Sequence, residues 1–144
     1  MKAFFNKVLV AVDNTEQSAH AVDMALRMAK ASIIGSVVLF NVYDSGSVDI
    51  TKLHSAEKLD KLRAASMELL QSYERLFKEA GVSCQLKKAG GHPAQLILDL
   101  IENSGDFDLV IIGSRRLNKF QEFTMGSVSD KVTRLATVPV LIVK

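Results

Sequence analysis

"KVLVAVDNTEQSAHAVDMALRMA", Lys7 to Ala29, changes its period part-way along. Lys7 to Val12 is a short, almost unbroken run rich in β-branched residues, the pattern of a strand covered on both faces. From Thr15 the apolar and small positions move apart: Ser18, Val22, Ala25, Leu26 and Ala29 recur at helical spacing. Asn14 and Thr15 supply cap oxygens for unpaired first-turn amides, and Glu16 favours the positive end of the helix dipole. A covered strand leading straight into an amphipathic helix is the repeating unit of a parallel sheet.

The rest of the chain repeats that unit. Gly35 reads as the close of the first helix, and "SVVLFNVYD" (Ser36 to Asp44) as a second strand. Ser45 to Thr51 is a polar connector, and the pattern leaves the order of residues 45–54 open. A long helix is expected from Lys52, with Leu53, Ala56, Leu59, Leu62, Leu69, Tyr73, Leu76 and Ala80 on or near one stripe and Gly81 as its C-terminal cap. "VSCQLKKA" alternates like a less deeply buried strand. "GGHPAQLILDLIENSG" places Pro93 in a first helical turn. "DLVIIG" is a further buried strand, followed by a helix over about 127–136 and a last strand in "VPVLIVK". The sum is one α/β domain over residues 1–144: five parallel strands, doubly wound by right-handed crossovers, with helices on both faces.

Composition narrows the function classes. The 144 residues carry 18 Lys and Arg against 16 Asp and Glu, and the net charge of +2 is spread along the chain, which argues against nucleic acid or an anionic membrane as the main partner. No run approaches the roughly 20 apolar residues of a membrane span. The start, "MKAFFNKVLVAVD", is too short an apolar run for a signal sequence, so the cytoplasm is the expected location. A single cysteine, Cys84, gives neither a disulfide nor a metal set and is expected to be a buried, inert thiol.

In an open parallel sheet, ligands bind beyond the carboxyl ends of the strands, where strand order reverses. Orders 2-1-3-4-5 and 3-2-1-4-5 both suit five strands. The second is the expected one; in it the end of strand 1, at Asp13, faces the end of strand 4, at Gly113, and that coincidence motivates the site. Asp13 stands where a carboxylate accepts from an amino group or ribose hydroxyls, or where it caps the first helix. Gly113 admits the close approach of a ligand or of another backbone. Gly126 and Ser127 open a helix whose unpaired amides and dipole attract anions, with Ser129 a further hydroxyl.

Little points to catalysis. His20, His54 and His92 fall on a helix, near a helix start and in a turn. No Walker lysine follows a glycine-rich loop, and there is no nucleophile elbow. Asp106 and Asp108 frame the amino end of strand 4, away from the crevice.

Three blocks carry a family resemblance that spans nearly the whole chain. "KVLVAVDNTEQSAHAVDMALRMA", "GHPAQLILDLIENSGDFDLVIIGSR" and "GSVSDKVTRLATVPVLIVK" resemble the opening, third-helix and closing segments of universal stress proteins. In nucleotide-binding members, the loop after strand 4 reads G-x-x-G-x9-G-[ST]. Gly113 and the pair Gly126-Ser127 match it, whereas Arg116 stands at the middle glycine. The resemblance implies an adenine nucleotide, ATP with Mg2+ when bound. Asp13 would then lie on the adenine or ribose side, with the Val42 backbone at the base and Ile112 against the nucleoside. Ser127, Val128 and Ser129 would lie at the phosphates. It also implies a homodimer joined through the final strand, residues 138–143, a segment prone to aggregate if left uncovered. A nucleotide-free dimer acting through protein contacts is the alternative. An enzyme of the wider adenine-nucleotide α-hydrolase-like group is disfavoured, because "DNTEQS" replaces the serine-glycine-rich loop such enzymes carry after strand 1.

Arg116 leaves two outcomes open. Its guanidinium grips phosphate in a bidentate manner, or the side chain diverts the loop at a conformational penalty of about 1 kcal/mol if the backbone is left-handed there. Arg115 and Lys119 add charge but are equally at home in water, and Phe120 and Phe123 read as anchors to the fold or to a partner chain. Replacing Arg116 with Gly separates the outcomes by titration with ATP: weaker binding identifies a phosphate ligand, and stronger binding identifies an obstruction.

Overall fold

A computed structural model of the chain describes residues 2–114 and 127–144. Arg115, Arg116, Lys119, Phe120, Phe123 and Gly126 lie outside the described residues. The elements run β1 (Phe5–Ala11), α1 (Glu16–Lys30), β2 (Ile34–Tyr43), a 3-10 turn (Ser45–Ser47), α2 (Ser55–Glu79), β3 (Ser83–Gly90), α3 (Pro93–Ser104), β4 (Leu109–Gly113), α4 (Ser127–Leu135) and β5 (Val140–Val143). All strand pairs are parallel and the sheet order is β3-β2-β1-β4-β5, so the expected order 3-2-1-4-5 holds.

The two faces of β1 explain why its run is apolar throughout. Val8, Val10 and Val12 turn toward α1 and α2, where Ala21, Val22, Ala25, Leu70 and Phe77 cover them. Leu9 and Ala11 turn the other way, toward Ile97 and Ile101 of α3 and Val132 of α4. Each such Val, Leu, Ile or Phe contributes roughly 1.5–3 kcal/mol when fully buried. The surface ion pairs, such as Lys7 with Asp106 at 2.9 Å, are each worth about 0–1 kcal/mol, so apolar burial sets the fold. At the amino end of β4, Asp108 Oδ2 accepts from the Asn6 and Lys7 amides at 2.7 and 3.1 Å, pinning β1 to β4. That gives Asp108 a structural task, in keeping with its placement away from the crevice.

Three sequence expectations shift. Gly35 does not close α1. The helix ends at Lys30, the reversal uses Ser32 at φ 63°, and Gly35 lies inside β2, where a Cβ would stand 2.9 Å from the Asn6 carbonyl oxygen. The second helix begins at Ser55, not Lys52. Asp49 Oδ1 accepts from both the amide and the hydroxyl of Thr51, which holds its carboxyl below the usual range and keeps the connector in turns up to His54. The buried stripe of α2 also differs: Ser66, Leu70 and Phe77 are its buried residues, whereas Leu53 and Leu76 are exposed. Leu69 and Tyr73 pack against the core as expected. The C-terminal expectation holds, with Gly81 at φ +72° just past Ala80.

β3 is the edge strand beside β2, and its alternating burial matches the shallower strand expected there. Cys84 on it is half-buried, and burial pushes its thiol up to about 11, so it stays protonated and unreactive at neutral pH. Among the described residues no helix is long and apolar enough to cross a membrane.

Candidate functional site

β1 stops at Ala11, while β2 runs on to Tyr43. Their ladder ends at the pair Ala11 and Phe40, yet β2 stays paired with β3 as far as Tyr43 and Gly90. In a parallel strand, alternate residues turn both N–H and C=O to the same neighbour. The Val12 amide donates to the Phe40 carbonyl at 2.9 Å, so Phe40 faces β1 and Val42, two residues on, faces the same side. The Tyr43 carbonyl accepts from the Gly91 amide on the β3 side, as the alternation requires. With β1 gone, the Val42 N–H and C=O open onto a gap.

That gap is part of a cleft of about 680 Å³ beyond the carboxyl ends of β1, β2 and β4. Asp13, Val42, Ile112, Gly113, Ser127, Val128 and Ser129 all line it, so seven of the nine expected site residues meet in one space. Arg116 and Gly126 lie outside the described residues. The inner side of α2 (Leu62, Ala65, Ser66 and Leu69) and the turn Gly91 to Pro93 complete the walls; sequence reasoning had not assigned them to the site. The buried polar residues of the described chain are Ser18, Asn41, Ser66 and Ser129, and every one of them lines this cleft. A polar residue inside an apolar strand run, Asn41 in "LFNVYD", was the signal that could have found the α2 wall.

Asp13 is held from three directions. Its amide donates to Ser18 Oγ at 2.8 Å, and its Oδ1 accepts from the Thr15 amide at 2.9 Å and from the Thr15 hydroxyl. Thr15 Oγ1 in turn accepts from the Ser18 amide at 3.2 Å, so Thr15 is the cap of α1 and Asp13 orients it. Asp13 Oδ2 makes no hydrogen bond among the described residues, and Asp13 lines the cleft. The carboxylate also acts across the space: the Tyr73 phenol on α2 is raised above its usual value, first by burial and then by the negative charge of Asp13.

Gly113 answers the question its sequence posed. A Cβ there would stand 2.6 Å from the Gln17 carbonyl carbon and oxygen and 2.9 Å from the Ser18 nitrogen. The close approach is to the backbone of α1, and it brings the start of that helix against the end of β4. Across the cleft, α4 begins at Ser127, with Ser129 and Val132 buried. The described lining holds Asp13 and Asp44 but no Lys or Arg, and the start of α4 adds the positive end of a helix dipole to it.

A family model described as the universal stress protein family matches residues 4–144. The chain belongs to that family. Universal stress protein YxiE of Bacillus subtilis (strain 168) is 33% identical over 148 residues, covering 97% of this chain and 99% of its own. Among solved structures, the universal stress protein UspA from Lactobacillus plantarum superposes with a TM-score of 0.83 at 19% identity, over the full length of both chains. A family protein from Arabidopsis thaliana with AMP bound gives a TM-score of 0.70 at 21% identity, over 96% of this chain and 91% of that one. At these identities the structural likeness carries the fold.

Replacing Gly113 with Ala is expected to destabilise the ligand-free protein by about 2 kcal/mol, since two backbones would have to separate. Urea denaturation measures it, and an unchanged midpoint would contradict the packing described here.

Proposed function

We propose that the cleft binds an adenine nucleotide, ATP or a shorter relative, as a regulatory ligand of a small cytoplasmic stress-response protein with no dedicated catalytic step. The observation that carries this reading is convergence: the Asp13 carboxylate, a main-chain donor and acceptor with no partner among the described residues, and the start of α4 all line one cleft. The Val42 N–H and C=O suit the hydrogen-bonding edge of a base, and Asp13 Oδ2 suits ribose hydroxyls or an exocyclic amine. Ile112 offers an apolar surface to the nucleoside. Ser127, Val128 and Ser129 bring first-turn amides and hydroxyls toward phosphate. The AMP carried by the Arabidopsis relative supports the ligand class.

Mg2+ fits this site as a passenger of the phosphates. Among the described residues no group of three or more His, Cys, Asp or Glu is placed to hold a metal, and Mg2+ is commonly bound through substrate phosphates with few protein ligands. Its contribution when bound would be charge neutralisation beside a lining that already holds two carboxylates.

Homodimerisation through residues 138–143 belongs to the same proposal. Among the described residues β5 pairs only with β4, and its four residues are all half-buried, which offers an apolar edge to a second copy. Sedimentation at micromolar concentration is expected to give a dimer, and a monomer would contradict it.

Calorimetric titration with AMP and with ATP and Mg2+ tests the ligand. Binding is expected, and Asp13→Asn should weaken it by about tenfold or more, because a charge-assisted hydrogen bond is worth roughly 1.5–3 kcal/mol. The substitution keeps an oxygen for Thr15 and removes the negative charge at the cleft. A wild-type protein that binds neither nucleotide would overturn the reading.

A further inference from the structure

Asn41 and Ser66 are only 7% and 3% exposed, and their side chains form one hydrogen-bonded line from α2 to β1. Ser66 Oγ donates to Asn41 Oδ1 at 2.6 Å, and Asn41 Nδ2 donates to the Val12 carbonyl at 2.8 Å. In a ladder continued by one more step, the donor to that carbonyl would be the Val42 N–H. The ladder stops at Ala11 and Phe40 instead, and a side-chain amide occupies the next acceptor.

We infer that Asn41 is a positioning residue for the ligand: its amide satisfies the Val12 carbonyl, which leaves the Val42 N–H and C=O available to the cleft, and Ser66 holds the amide in that orientation. The inference rests on the nucleotide reading for its purpose, though not for its geometry. With an apolar residue at 41, the buried Val12 carbonyl would lack a partner, and the strands would gain by closing so that the Val42 N–H satisfies it. The amide removes that gain. It also moors α2, which supplies Leu62, Ala65 and Leu69 to the cleft wall, to the strand that presents the donor. The network thereby sets both the width of the gap and the groups exposed within it.

Amide hydrogen exchange, followed by NMR on the full ligand-free chain, tests this directly. In the wild type the Val42 N–H should exchange faster than those of Asn41 and Tyr43, which face β3. In Asn41→Leu it should slow by about tenfold, the effect of one main-chain hydrogen bond regained, and AMP affinity should fall by a similar factor. Should the leucine variant fail to fold, Asn41→Ser, too short to reach Val12, carries the same expectation. A purely structural role for Asn41 would speed exchange at its neighbours and would not protect Val42. Equal Val42 exchange in variant and wild type overturns the inference, as does slowed exchange with unchanged AMP affinity. A wild type that binds no AMP would remove the nucleotide reading, while the exchange comparison would still decide what Asn41 does.

Discussion

The separation of β1 from β2 after Phe40 is the constraint on which the site depends. Up to that point the sheet is closed, with main-chain groups paired and apolar side chains on both faces. Beyond it, β2 continues on β3 alone and β1 bends into the Asp13 turn. A buried main-chain donor and acceptor without partners would be costly, so an opening of this kind must be sustained by other groups. Asn41 and Ser66 on one side and Thr15 and Ser18 on the other do so. Three of the buried polar residues of the described chain, Ser18, Asn41 and Ser66, gather at the cleft for that reason.

Much of this was legible in the sequence. The change of period between Val12 and Thr15, repeated along the chain, gives a parallel sheet, while the strand order, which period leaves open between two arrangements, is established by the structure. The family resemblance supplied Val42, Ile112 and Val128, which neither period nor composition would have singled out. The structure adds a main-chain reason for Val42 and a packing reason for Gly113.

What was not legible depended on where elements stop. The apolar pattern of α2 suggested a stripe including Leu53 and Leu76, but Leu76 is exposed beside the buried Phe77, on a different face of the same turn. Leu53 precedes the helix and is exposed, while Leu70 and Phe77 do the burying. Gly35 looked like a helix stop because glycine often is one; here it marks the close passage of β1. The link between Asn41 and Ser66 joins residues 25 apart in sequence and depends on register, which composition and period do not encode.

The family assignment gives the architecture, while the ligand rests on convergence in the cleft. The most direct test is an NMR titration of the isotopically labelled protein with AMP. The account predicts that the largest shift changes fall at Asp13, Val42, Gly113 and Ser127 to Ser129, with little change at the smaller groove of about 300 Å³ between α3 and α4. Changes confined to that groove, or none at saturating AMP, would contradict it.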